Sequence, residues 1–130
     1  MDSQQVSVRI DSRSGMPARR QIPFEGFPSA GPSLHFAHAN GYPPKAYLPL
    51  FDHLLPSFGI LAMYLRSFWP GSNPDEIMDW EPFTADMSCF LDEHDLHGIP
   101  GIGHSVGGTT TLRLALRQPE RFSAVILLSI

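Results

Sequence analysis

Apolar residues recur along the chain in distinct rhythms, and each rhythm predicts a different element. Alternation over residues 5–10 puts Val6, Val8 and Ile10 on one face, the pattern of a half-exposed strand. Asp11-Ser12-Arg13-Ser14-Gly15 then reads as a turn. A weaker strand is expected over 20–24, held to a sheet edge by Pro23. Gly31-Pro32 breaks the chain before a short strand at 33–38. Tyr47, Leu50 or Phe51, and Leu54 fall at helical spacing, with Pro49 early enough for a first turn. The run 58–65 is almost unbroken apolar sequence, which suits a strand buried on both faces.

A long loop of Ser, Pro, Gly and Asn is expected over 67–79. From Trp80 or Glu81 to about His97, Phe83, Met87, Phe90, Leu91 and His94 line one side of a helix, and Gly98 fits its C′ position. A short strand over 99–103, a helix over 106–118 stopped by Pro119, and a strand over 123–130 complete the order. Strands alternating with helices predict βαβ units. The fold class is therefore α/β, a mainly parallel sheet with flanking helices. No internal repeat is visible.

Composition narrows the partners. At 130 residues the chain is expected to form a single domain, residues 1–130. With 42% hydrophobic and 17% charged residues it can build a core. Nine basic against thirteen acidic residues give a net charge of −4, so a nucleic-acid partner is not expected. Thirteen prolines punctuate short connections without forming a low-complexity linker. Cys89 is the one cysteine, which rules out an internal disulfide framework and fits a reducing compartment. The first residues lack the basic and apolar stretches of a signal peptide, and no apolar run reaches membrane-spanning length. A cytoplasmic protein with no membrane partner is expected; the oligomeric state is not readable.

The candidate chemistry lies in Gly103-His104-Ser105-Val106-Gly107-Gly108, a Gly-x-Ser-x-Gly pattern. Alone the pattern is weak, but here an apolar strand runs into it and a helix leaves it. A serine on a sharp strand-to-helix turn needs neighbours without side chains, which Gly103 and Gly107 supply, while Gly108 lets the helix lie close to the sheet. The helix N-terminus offers free N–H groups to a developing oxyanion.

This segment resembles the nucleophile elbow of the α/β-hydrolase fold family. A second match stands about 65 residues upstream, where His38-Ala39-Asn40-Gly41-Tyr42-Pro43 resembles the loop after that family's third strand, usually His-Gly-x-Pro; Asn40 takes the place of the usual His. The resemblance covers roughly residues 24–130 and implies Ser105 as nucleophile, with the Val106 and Tyr42 N–H groups as oxyanion hole. It implies no cofactor and a small-molecule substrate. Members acting on haloalkanes or epoxides carry Asp at the elbow, so Ser favours acyl transfer to water, meaning ester, thioester, lactone or amide cleavage, with ester, lactone or thioester preferred; a cofactor-free haloperoxidase stays open.

In the family the acid and the His follow later strands than the one at 123–130, so residues 1–130 are expected to be the N-terminal part of an incomplete domain, inactive alone. His104 is adjacent to Ser105 but should point away. Asp86, Asp92, Asp95, His94 and His97 have no sequence reason to approach it. The rival reading is a non-catalytic piece or interaction module with an open sheet edge. His35 with His38, and His94 with His97, are read as solvated or capping residues, and no metal is expected. Arg113 and Arg117 read as a solvated helix face, Trp69 and Trp80 as packing under the long loop, and Cys89 as a small buried apolar residue.

Overall fold

The computed structural model describes residues 4–5 and 21–129. All of the turn expected at 11–15 and all but the first residue of the strand expected at 5–10 lie outside them. The elements are strand β1 (Gln4–Gln5), β2 (Phe24–Phe27) and β3 (Ser33–Ala37), a 3-10 turn (Pro44–Tyr47) running into helix α1 (Leu48–Leu54), β4 (Gly59–Met63), helix α2 (Trp80–Glu93), β5 (Ile99–His104), helix α3 (Val106–Arg117) and β6 (Phe122–Leu128). Two further 3-10 turns, Arg66–Phe68 and Pro74–Ile77, interrupt the long loop.

One sheet holds every strand, in the order β1-β2-β4-β3-β5-β6. β4, β3, β5 and β6 are parallel neighbours, while β2 runs antiparallel to β4 and β1 antiparallel to β2. The fold is thus α/β with a mainly parallel sheet, as the alternation of strands and helices implies. The strand expected at an edge over 20–24 is instead β2, which begins at Phe24 and lies between β1 and β4; Pro23 precedes it and so removes no N–H from its ladder.

Each face of the sheet is covered because strand side chains alternate. Leu34 and Phe36 of β3 join Phe27, Ile60, Ala62 and Ile102 under Phe51 of α1. On the other face Ala37, Phe24 and Met63 meet Met87, Phe90 and Leu91 of α2 and Leu114 of α3. The sheet lies between helix layers, which is why the middle strands read as continuous apolar runs. Beyond β6 nothing covers the edge among the described residues, and Ile126 is 48% exposed.

Several side chains lie deeper, or bind more, than their pattern predicts. His35 and His38 are fully buried rather than solvated, and His94 packs edge-on against Phe24 and at a tilt against Phe90, with ring centroids 4.7 and 4.3 Å away. Arg117 and Arg113 are not a free face: Arg117 grips Glu81 of α2 through both terminal nitrogens, and Arg113 donates to Thr84 Oγ1 at 3.2 Å. Trp69 is buried, its indole N–H donating to Tyr64 O, while Trp80 stays partly exposed.

Arg121, just before β6, is the principal polar anchor. Its buried guanidinium donates to Leu96 O (2.9 Å), Gln118 Oε1 (2.9 Å) and Asp92 Oδ1 (2.5 Å), tying the end of α2 to the end of α3. Removing it leaves a half-buried carbonyl and a half-buried amide oxygen without their donor. Arg121→Ala is expected to lower stability by roughly 2–4 kcal/mol, read from the shift of the urea midpoint at constant slope.

Candidate active site

Ser105 stands alone between the last residue of β5 and the first of α3. Its φ of 54° and ψ of −116° lie in a region that L-residues avoid, at a cost of roughly 1–3 kcal/mol. Bonds on both sides hold it there. Its N–H donates to Ser129 O at 2.8 Å, and its carbonyl accepts the Thr109 N–H at 2.9 Å, the first bond of α3.

The glycines around it differ in how strictly they are needed. A Cβ on Gly103 would sit 2.6 Å from Gly107 O, and one on Gly107 only 2.2 Å from Ala37 O, so α3 meets β5 and β3 backbone to backbone. Gly108 has more room, its nearest neighbour being Gly103 O at 3.2 Å. That close approach also brings the segment after β3 against the start of α3.

The segment after β3 folds as a turn in which the Tyr42 N–H donates to Ala39 O at 3.1 Å, with Gly41 at φ 90°. The Tyr42 N–H expected to be free is therefore engaged here. Val106, by contrast, opens α3, so its N–H has no intrahelical partner. His38 anchors the turn: its Nε2 accepts the Leu65 N–H at 2.9 Å, so the proton lies on Nδ1, which donates to Ala39 O at 2.8 Å. Burial lowers its pKa to about 4, so it stays neutral. His38 thus ties the end of β3 to the end of β4, and its bonds leave it no lone pair for a metal.

Asn40 and Val106 line one cleft of about 260 Å³, together with Ser67, Met78, Asp79, Trp80 and Phe83. Val106 is the one α3 residue in this lining and Ser105 lies outside it, while Trp80 and Phe83 come from the start of α2, so an apolar group on a bound molecule would meet Met78, Trp80 and Phe83. Tyr42, 59% exposed, lies with its ring 6.5 Å from that of His104. His104 itself turns to Tyr47, whose hydroxyl is 2.7 Å from Nδ1, and the same hydroxyl accepts the Ala39 N–H at 3.0 Å. Sequence reasoning assigned Tyr47 only a helical spacing; 57 residues separate it from His104, and no local pattern signals the bond.

The acidic residues near the elbow in sequence are committed elsewhere. Asp86 accepts two bonds from Arg66 (2.9 and 2.7 Å), and Asp92 is held by Arg121. His97 is exposed and pairs with Asp95 at 3.5 Å. Among the described residues, no group of three or more His, Cys, Asp or Glu side chains could hold a metal ion. No helix among them is long and apolar enough to cross a membrane.

Comparison with known proteins follows the same lines. The model of the alpha/beta hydrolase fold family matches residues 32–130. A bifunctional epoxide hydrolase 2 from Sus scrofa is 36% identical over 70 residues, which cover 52% of this chain and 13% of that protein. Among solved structures, a marine microorganism esterase superposes with a TM-score of 0.74 at 20% identity, covering 82% of this chain and 41% of the esterase. An epoxide hydrolase from Vigna radiata gives 0.76 at 17% identity, covering 99% of this chain and 38% of its own. The chain therefore spans about two fifths of the length of these solved structures, and far less of the curated relative.

Proposed function

The chain belongs to the α/β-hydrolase fold family, and from that premise we propose that it carries the nucleophile of a serine hydrolase that cleaves an ester-type bond through an acyl-enzyme on Ser105. The observation that carries this reading is the conformation of Ser105, a left-handed residue between β5 and α3 with glycines where side chains would collide. A polar residue in an ordinary helix-capping turn has no need of that strain, and Ser105 makes no capping bond with its side chain.

In the proposed reaction Ser105 Oγ gives its proton to a histidine and attacks the substrate carbonyl. The Val106 N–H receives the oxyanion. Tyr42 supplies a second N–H by letting go of Ala39 O, which costs little because His38 Nδ1 still donates to that oxygen at the shorter distance. The tetrahedral intermediate expels the alcohol or thiol, which takes the proton back, and water then hydrolyses the acyl-serine by the same route in reverse. The histidine and its acid are assigned to sequence outside residues 1–130, since a serine hydroxyl without a base is a poor nucleophile at neutral pH.

The likeness to epoxide hydrolases does not extend to the nucleophile. Opening an epoxide or haloalkane on Asp gives an ester, which water cleaves; opening it on serine would give an ether, which water does not. The elbow residue therefore favours acyl substrates, in the order carboxylic ester, lactone and thioester. The cleft side chains Met78, Trp80 and Phe83 favour an apolar acyl group. Cytoplasmic location and a small-molecule substrate complete the reading.

A fluorophosphonate probe tests it. With the protein encoded by the gene read past the codon for Ile130, labelling is expected at Ser105 and lost in Ser105→Ala. Absence of labelling in the parent protein would instead favour the non-catalytic reading, a hydrolase-fold piece whose β6 edge serves as a docking surface.

A further inference from the structure

We propose that Tyr47 is a positioning residue: its hydroxyl, held between the Ala39 N–H and His104 Nδ1, keeps the loop after β3 in register with the turn that carries Ser105. The catalytic consequence rests on the function proposed above, whereas the brace itself does not. Three observations lead to it.

The Tyr47 ring is fixed before its hydroxyl does anything. It lies 4.5 Å from the Phe36 ring and stacks on Phe51 at 6.3 Å, so β3 and α1 set where the oxygen points. The hydroxyl then bridges two partners. Oη accepts from the Ala39 N–H at 3.0 Å and shares one proton with His104 Nδ1 across 2.7 Å, as donor or acceptor according to the His104 tautomer. Burial raises the Tyr47 pKa above its ordinary value, so the phenol keeps its proton at neutral pH.

The third observation is where the bonds converge. Both peptide units flanking Ala39 are held, its N–H by Tyr47 and its carbonyl by His38 and Tyr42. His104, at the other end of the Tyr47 bridge, immediately precedes Ser105. One phenol therefore joins the peptide at the root of the oxyanion loop to the residue before the nucleophile. Without it, the loop and the elbow would be linked only through the end of β3, by its pairing with β5 at Ala37 and Gly103 and by the packing of Gly107 against Ala37.

Tyr47→Phe keeps the ring and removes only the oxygen, and three readouts on the folded protein decide the matter. Long-range proton–nitrogen spectra of the histidine-labelled wild type should show His104 held as one tautomer. Averaged tautomers would overturn the brace even if the variant failed to fold. In Tyr47→Phe the Ala39 amide should exchange about tenfold faster, with β4 amides unchanged. Equal acceleration in β4, or none at Ala39, would reduce Tyr47 to an ordinary core residue.

The catalytic consequence is read from fluorophosphonate labelling of Ser105, which should slow about tenfold at saturating probe with the half-saturating concentration unchanged. A normal labelling rate beside a loosened Ala39 amide would overturn the positioning role. If Ser105 labels in neither protein, the proposed function and the catalytic consequence both fail, and the tautomer and exchange results still decide the brace.

Discussion

Alanine at position 107 is expected to unfold the domain or cost it roughly 3 kcal/mol or more, the upper range for forcing atoms into a packed interior. The added carbon would stand 2.2 Å from Ala37 O, 2.4 Å from Ala37 C and 2.5 Å from His38 O, all backbone atoms. No side chain can swing aside. β3 cannot retreat either, because it is hydrogen-bonded to β4 on one side and β5 on the other. Thermal unfolding followed by circular dichroism should show a midpoint about 10 °C lower, or no folded baseline. Gly108→Ala is the control. Its Cβ would have 3.2 Å to Gly103 O, and the gain in helix propensity of up to about 1 kcal/mol offsets a small shift. Equal melting of Gly107→Ala and wild type would falsify the backbone-to-backbone contact under the elbow.

Mild acid is expected to unfold the protein, because histidines are buried neutral in its centre. His35 of β3 is completely buried, with no hydrogen-bond partner at either ring nitrogen. Desolvation first, then the nearby His94 and His38, pull its pKa from 6.5 to about 3; burial takes His38 to about 4 and lowers His94 as well. In the unfolded chain these groups titrate near 6.5. Below that pH the unfolded state binds more protons than the folded state, so stability falls as pH falls, by up to about 1.4 kcal/mol per pH unit for each histidine. Between pH 6 and 4, His35 and His38 together remove several kcal/mol, a large share of the ~5–15 kcal/mol that domains usually have. Ellipticity measured from pH 8 to 3 should collapse well above the pH at which carboxylates protonate. His35→Leu fills the same space, removes two unpaired nitrogens and one titrating group, and is expected to be as stable at pH 7. Its acid midpoint should drop by about half a pH unit; an unmoved midpoint would mean that His35 does not govern the transition.

What the sequence disclosed and what it hid have physical reasons. The elbow was legible because strain of that kind demands glycines at fixed offsets, and the demand is written locally as Gly103, Gly107 and Gly108. The α/β order was legible because β4 is apolar on both faces while α2 and α3 keep one polar face. The histidines were not legible. His35 sits in a strand flanked by Leu34 and Phe36, and nothing local says that its own face is also covered; Phe90 of α2, 55 residues later, covers it. Tyr47 was hidden for the same reason, since its partners Ala39 and His104 come from two other elements. The engaged Tyr42 N–H could not be read either, because a type of turn is fixed by φ at Gly41 and not by composition alone.

The bond between the Ser105 N–H and Ser129 O also has a consequence for biosynthesis. A ribosome delivers the chain from the N-terminus, and β3 pairs with β4 long before β5 emerges to take its other edge. Even then the elbow lacks its outer anchor until residue 129 has left the tunnel, 24 residues after the serine. At ~5–20 residues per second, that interval is about 1–5 s. During it, the strained serine is free to relax into an ordinary helical turn. The conformation of Ser105 is thus completed only by the residue that follows β6, so a nascent chain stalled just after α3 should carry Ser105 without the geometry that makes it distinctive.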